Sequence, residues 1–171
     1  MKIDTPRDLL FDQLRDIHDF ENQLQPSFAE LSVRATSPDL RSLLEDHGRE
    51  CEDQRDRVRG IFSRHGVEIG SDKCKAIEGL IKGGDKHLDE ATDPQVIDLL
   101  LIAHCNRIKH YEIAAYSFAA SLADCLGFQD DAQLLEQSLQ EEHAVKEALA
   151  QTAANVFDPC MLEHGRDLAA S

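Results

Sequence analysis

Three times the sequence sets a capping residue directly before a proline, at Thr5-Pro6, Ser37-Pro38 and Asp93-Pro94, and each time a long apolar stripe of helical period follows. A side chain that caps, then a proline whose missing N–H costs nothing in the first turn, is a helix start. The first stripe runs Leu10, Leu14, Ile17, Leu24, Phe28 and Leu31. The second runs Leu40, Leu43, Leu44, Val58, Ile61 and Phe62, and stops before Gly66. The third runs Ile97, Leu101, Ile108, Ala115, Phe118 and Leu122, ending at Gly127. A fourth helix starts at about Asp130, with Leu135, Leu139, Val145 and Leu149 inward. Each would be about 25–30 residues, roughly 40 Å long.

Four amphipathic helices of matched length make an all-α four-helix bundle. The first and second helices, and the third and fourth, are joined by very short links, so each pair is expected to be an antiparallel hairpin. Between the hairpins lies a longer segment, Gly66 to Thr92, with a shorter helix from about Cys74 to Glu90 that Gly83-Gly84 interrupts in character. Two hairpins joined by one long middle connection are the ferritin-like arrangement. Pro26 conflicts with the first helix, because it removes a bond to the Asn22 carbonyl and should kink or split the helix there. Residues from Pro159 on carry little periodicity, so the expected layout is a single bundle domain over 1–156 and a C-terminal tail over 157–171.

A chain of 171 residues can bury one core without staples. Its 18 basic and 33 acidic side chains give a net charge of −15, a field that repels phosphate backbones and anionic lipid. Nucleic acid and membrane surfaces are therefore not expected partners, and the longest apolar stretch, around Ile97 to Cys105, is too short to cross a bilayer. The start shows no signal-peptide pattern. Five cysteines, Cys51, Cys74, Cys105, Cys125 and Cys160, form no C-x-x-C pair and read as reduced thiols of a cytoplasmic protein.

Acids interrupt the apolar faces. Glu21 falls between Ile17 and Leu24, and Glu112 between Ile108 and Ala115. Glu50 shares a face with His47, Gln54 and Val58. An offset of 91 residues carries Ile17-x-x-Phe20-Glu21 onto Ile108-x-x-Tyr111-Glu112, Leu43-Leu44-Glu45 onto Leu134-Leu135-Glu136, Glu50 onto Glu141 and Val58 onto Leu149, so the hairpins read as copies. In the fourth helix the stripe centres on Glu142 while the repeat selects Glu141, and both stay open. Ionised carboxylates in an apolar interior must be paired, protonated or bound to a cation. No inward Lys or Arg cluster is visible to pair with them, so a pair of iron or manganese ions is the simplest expectation for carboxylates converging from four helices.

The segments Leu9-Leu10-Phe11-Asp12-Gln13-Leu14-Arg15-Asp16, Glu21-Asn22-Gln23-Leu24, Cys74-Lys75-Ala76-Ile77-Glu78-Gly79-Leu80-Ile81 and His110-Tyr111-Glu112-Ile113-Ala114-Ala115-Tyr116 carry a further signal. With them the sequence resembles the YciF/YciE-type ferritin-like stress-protein family over about residues 6–153. The resemblance implies a ferritin-like fold, a homodimer and a cytoplasmic stress context, and no established reaction.

The expected site is then Glu21, Glu50, Glu112 and Glu141 or Glu142 as metal ligands, with His47 assisting. Two ions there would pass electrons to a small-molecule oxidant, dioxygen or peroxide, or take up and oxidise Fe(II). Against this stands the missing Glu-x-x-His motif of two-metal bundles: Glu50 is followed at that spacing by Asp53, Glu141 by Ala144 and Glu142 by Val145. The alternative is a metal-free structural or interaction bundle that has lost its ions. Gln54, His104, His110, Tyr111, Tyr116 and Cys51 are expected to be structural.

Overall fold

The computed structural model describes the backbone of residues 2–169 and the side chains of residues 2–157. It contains five helices: α1 (Pro6–Arg34), α2 (Pro38–His65), α3 (Lys75–Glu90), α4 (Pro94–Cys125) and α5 (Gln129–Ala169). The three cap-proline starts are those read from the sequence. Thr5 and Asp8 form a reciprocal capping box, Ser37 Oγ accepts from Leu40 N, and Asp93 Oδ1 accepts from Gln95 N and Val96 N. Gly66, at φ 62°, ends α2 in the left-handed conformation that favours glycine.

Helix α1 packs along α2, and α4 along α5. The hairpins meet through α1 against α4 and α2 against α5, and α3 lies across α4 and α1. The core follows the expected stripes: Leu10, Leu14, Ile17, Leu24, Phe28 and Leu31 from α1, and Leu40, Leu44, Val58, Ile61 and Phe62 from α2. This is the ferritin-like bundle with its extra helix in the middle connection. No helix among the described residues is long and apolar enough to cross a membrane.

Three local expectations are corrected. Helix α1 runs unbroken through Pro26, and both Pro26 and Asn22, whose carbonyl loses its helical partner, are exposed residues. Phe118 is 48% exposed, since the buried face of α4 runs Leu101, Cys105, Ile108, Glu112, Tyr116, Ala119 and Ala123. Gly83-Gly84 does not interrupt α3; the bare Cα of Gly84 instead receives the ring of His104.

Buried carboxylates anchor the connections. Asp98 on α4 accepts from Thr36 N at 2.8 Å and Ser37 N at 2.9 Å, which fixes the α1–α2 turn. Asp19 on α1 accepts from Cys74 N and Lys73 Nζ, both at 2.8 Å, and so holds the start of α3. Asp131 accepts from His65 Nε2 at 2.6 Å and pairs with Arg64, tying the end of α2 to α5. The backbone of α5 continues to Ala169; beyond Phe157 the side chains of the expected tail, Cys160 among them, lie outside the described residues.

Candidate metal centre

Midway along the bundle the apolar core gives way to a polar cluster assembled from four helices. Glu21 comes from α1, His47, Cys51 and Gln54 from α2, Lys109, Glu112 and Tyr116 from α4, and Glu142 from α5. All eight are essentially inaccessible to solvent. Each helix puts them inward by ordinary periodicity: His47, Cys51, Gln54 and Val58 at four- and three-residue steps, and Cys105, Lys109, Glu112 and Tyr116 likewise.

The structure brings Glu21, Glu112 and Glu142 together, with one carboxylate oxygen of each inside a 4.8 Å group, and gathers His47, Cys51 and Glu112 in a second such group. It does not bring in Glu50 or Glu141. Glu141 is 27% exposed and bound to Arg57, whose Nη2 donates to Oε1 at 2.7 Å, and Gln54 Nε2 donates to its other oxygen at 3.2 Å. Burial acts to raise the Glu141 pKa, but Arg57 outweighs it and the group stays a stable anion below its usual range. Glu50 is 42% exposed and meets only the outer nitrogen of His47, with Nδ1 at 3.3 Å from Oε2. Glu50 and Glu141, mates in the 91-residue repeat, thus both flank the cluster, while the mates Glu21 and Glu112 both sit inside it.

The main departure from the sequence reading is Lys109. No inward lysine is expected from the stripes, yet Nζ lies in the middle of the acids, against His47 Nε2, Glu112 Oε2 and Glu142 Oε2. The register Cys105, Lys109, Glu112, Tyr116 is what carries it inward. The apolar stripe alone hides that register, because α4 buries a broad face with Ile108 and Lys109 both inside. Burial works against the ammonium, but Glu112 and Glu142 more than restore it, so Lys109 holds its proton more firmly than a free lysine.

One ammonium does not satisfy three carboxylates. Glu112 makes no hydrogen bond of good geometry with either oxygen, and Glu21 Oε2 and Glu142 Oε1 are buried without a partner. Glu21 Oε1 accepts from Tyr116 Oη at 2.7 Å. Burial, with Glu112 and Glu142 nearby, raises the Glu21 pKa well above 4.5 despite that bond. Burial and Glu112 also raise Glu142, against Lys109 and His47. Glu112 feels the same burial, but Lys109 and His47 prevail and hold it below its ordinary value. Glu112 is therefore the most firmly ionised acid of the cluster, and Glu21 and Glu142 hold their protons to higher pH than free carboxyls.

Burial and Lys109 push the His47 pKa down, but Glu112, Glu50 and Glu142 prevail and bring it up to about 9. Along the line from Nζ to Nε2 only one proton fits, so protonation at Nε2 and the Lys109 contact exclude each other. Cys51 Sγ is 3.9 Å from His47 Nε2, and burial together with the acids Glu21 and Glu112 keeps its thiol protonated.

A two-ion centre needs a Glu-x-x-His motif from each of two helices. The repeat carries Cys51 onto Glu142 and Gln54 onto Val145, so Cys51-x-x-Gln54 and Glu142-x-x-Val145 stand at matching inward positions. One carboxylate and both histidines are missing from that set, and Lys109 brings a positive charge into the space between the remaining acids. The residues do not fit two ions. They fit one.

Comparison with known proteins agrees with this architecture. Residues 5–159 match the family model described as Domain of unknown function (DUF892). Protein YciF of Escherichia coli (strain K12) is 32% identical over 156 residues, covering 91% of this chain and 94% of that protein. The crystal structure of the Escherichia coli stress protein YciF superposes with a TM-score of 0.87, at 32% identity, over 91% of this chain and 99% of that one. YcfI from Rhodopseudomonas palustris superposes with a TM-score of 0.84 at 34% identity, over 87% of this chain and 95% of that one. The chain belongs to the DUF892 family, the YciF-type family that its helix motifs resemble.

Proposed function

We propose that this protein is a stress protein whose bundle centre binds one divalent metal cation. The observation that carries the reading is the charge left over in the cluster. Three fully buried carboxylates face one ammonium and one imidazole, and three of their oxygens, Glu21 Oε2, Glu112 Oε1 and Glu142 Oε1, have no hydrogen-bond partner. A buried negative charge of that size must be closed by protons or by a cation of higher charge. The donors for a cation are present: oxygens from Glu21, Glu112 and Glu142, a nitrogen from His47 and the sulfur of Cys51. Oxygen donors with imidazole suit iron or manganese, the ions expected from the sequence, in a stoichiometry of one and not two. The reading also takes the protein as cytoplasmic and as a homodimer, and light scattering tests the dimer.

Elemental analysis after anaerobic loading with Fe(II), Mn(II) or Zn(II) tests the reading. One equivalent per chain, lost in Glu112→Gln, is the expected result. Two equivalents would restore the two-ion centre, and none would reject a metal.

Lys109 favours a second reading, a metal-free bundle. In that case protons on Glu21 and Glu142 close the charge, the direction in which burial already shifts both groups. Chelated and loaded protein would then unfold at the same denaturant concentration, whereas a bound ion raises the midpoint by mass action.

A further inference from the structure

We propose that the cation binds on the sulfur side of the centre, where His47 Nε2, Cys51 Sγ and the Glu112 carboxylate form a three-donor site for an ion of the zinc class. This rests on the one-cation reading above and replaces its iron or manganese with an ion chosen by the sulfur donor.

Geometry is the first support. Nε2 lies 3.9 Å from Sγ and 3.8 Å from Glu112 Oε1. A tetrahedral ion with bonds of ~2.0–2.3 Å keeps its donors roughly 3.3–3.8 Å apart, so the two edges at Nε2 are close to that spacing and the third, within 4.8 Å, has to contract. His47 and Cys51, one turn apart on α2, point to one face, and Glu112 meets them from α4. Glu50 also gains a role. It faces Nδ1 at 3.3 Å, which makes Nε2, now against Lys109 Nζ, the donor atom and fixes the ring, the usual support of a metal-bound imidazole.

Charge is the second support, and it separates this side from the oxygen side. An ion held by Glu21, Glu112 and Glu142 would compete with Lys109 for both acids it pairs with. An ion held by Cys51 thiolate, Glu112 and His47 is neutralised by its own ligands. Lys109 then leaves Nε2 and shares Glu112 with the ion, and it keeps Glu142. Binding deprotonates the Cys51 thiol: the metal–sulfur bond forms, the S–H bond breaks, and its proton goes to solvent, together with the Nε2 proton of a charged His47. Without a cation that thiol stays protonated among the acids. A donor set of nitrogen, sulfur and oxygen suits Zn(II), and Co(II) as its coloured substitute, over manganese.

The test is a Co(II) titration of chelator-stripped, reduced full-length protein, followed by absorption and by proton release. Expected are one Co(II) per chain, a strong near-ultraviolet thiolate-to-cobalt band, about one to two protons released, and displacement of the colour by Zn(II). The band is lost in Cys51→Ala and kept in Cys125→Ala, which alters an exposed free thiol. Glu50→Gln keeps the band but weakens affinity about 10–100-fold. If Cys51→Ala does not fold, loss of the band in His47→Gln replaces it. Cobalt bound without the band, or a band that survives loss of Cys51, overturns the sulfur-side assignment while sparing the one-cation reading. Failure of Co(II), Zn(II), Fe(II) and Mn(II) all to bind ends both.

Discussion

Tyr116 Oη donates to Glu21 Oε1 over 2.7 Å, joining α4 to α1 at a point where neither residue meets solvent. Tyr116→Phe keeps the ring, which packs edge-on to Phe20, and removes the last hydrogen bond of Glu21. The expected cost is about 1–3 kcal/mol at neutral pH, read from denaturant unfolding. Its pH dependence has a sign. Burial and the neighbouring acids already hold the Glu21 pKa above its unfolded value of 4.5, so its contribution is favourable below 4.5 and is lost as pH rises through the raised value. Losing Tyr116 removes an influence that lowers this pKa. The deficit should therefore be greater in mildly alkaline than in mildly acidic buffer.

Lys109→Met tests the ammonium directly. It removes the one positive charge set among Glu112, Glu142 and His47 and leaves the acids uncompensated. Breaking a buried pair from one side costs about 3–5 kcal/mol, and that is the expected loss in chelated protein at neutral pH. Because the remaining acids then have still higher pKa values, stability should recover as pH falls and they protonate. A divalent ion should recover it as well, and thermal unfolding with and without Zn(II) measures this.

Periodicity makes the frame of this centre legible and conceals the lysine at its middle. Glu21 and Glu112 are identifiable because each interrupts an apolar stripe on a helix with a well-marked start. Glu141 and Glu142 cannot be separated by sequence, since neighbouring residues on a helix that buries a narrow face stand only about 100° apart, and it is the position of Arg57 on α2 that draws Glu141 outward. Lys109 escapes notice because α4 meets α1, α3 and α5 and so buries more of its circumference than a single stripe suggests. Cys51 reads as an inert thiol when taken alone. The repeat offset that pairs it with Glu142 is the signal that marks it as part of the centre.

Asp98 shows how much one buried acid can organise. It accepts from Thr36 N and Ser37 N, and so connects the tip of the first hairpin to the first turns of α4. Asp98→Ala leaves both amides without this acceptor, and the expected loss is about 2–3 kcal/mol. Amide exchange at Thr36 and Ser37 should quicken by more than the change in global stability accounts for. Equal quickening across the chain would show that the carboxylate does not hold this turn locally.

His104 and Gly84 make the last prediction. A Cβ built on Gly84 would stand 2.1 Å from the His104 ring, so helix α3 docks on α4 only because that position is bare. Gly83, its neighbour, has nothing within 4 Å. Alanine is the better helix former by about 0.8–1.0 kcal/mol, so Gly83→Ala should leave stability unchanged or raise it. Gly84→Ala should instead cost about 1–3 kcal/mol, because the buried ring must be pushed aside. The ring also carries a pH signature. Burial first, with Arg107 and His87 adding to it, brings the His104 pKa down from 6.5 to about 4. The unfolded chain therefore takes up a proton that the folded chain refuses. Stability is complete above 6.5 and falls as pH drops from there to about 4, by at most about 3 kcal/mol. His104→Leu should flatten that part of the stability curve, and urea unfolding across the interval measures the slope. An unchanged slope would mean that His104 already takes a proton in the folded protein, with Gly84 serving only as a gap for its ring.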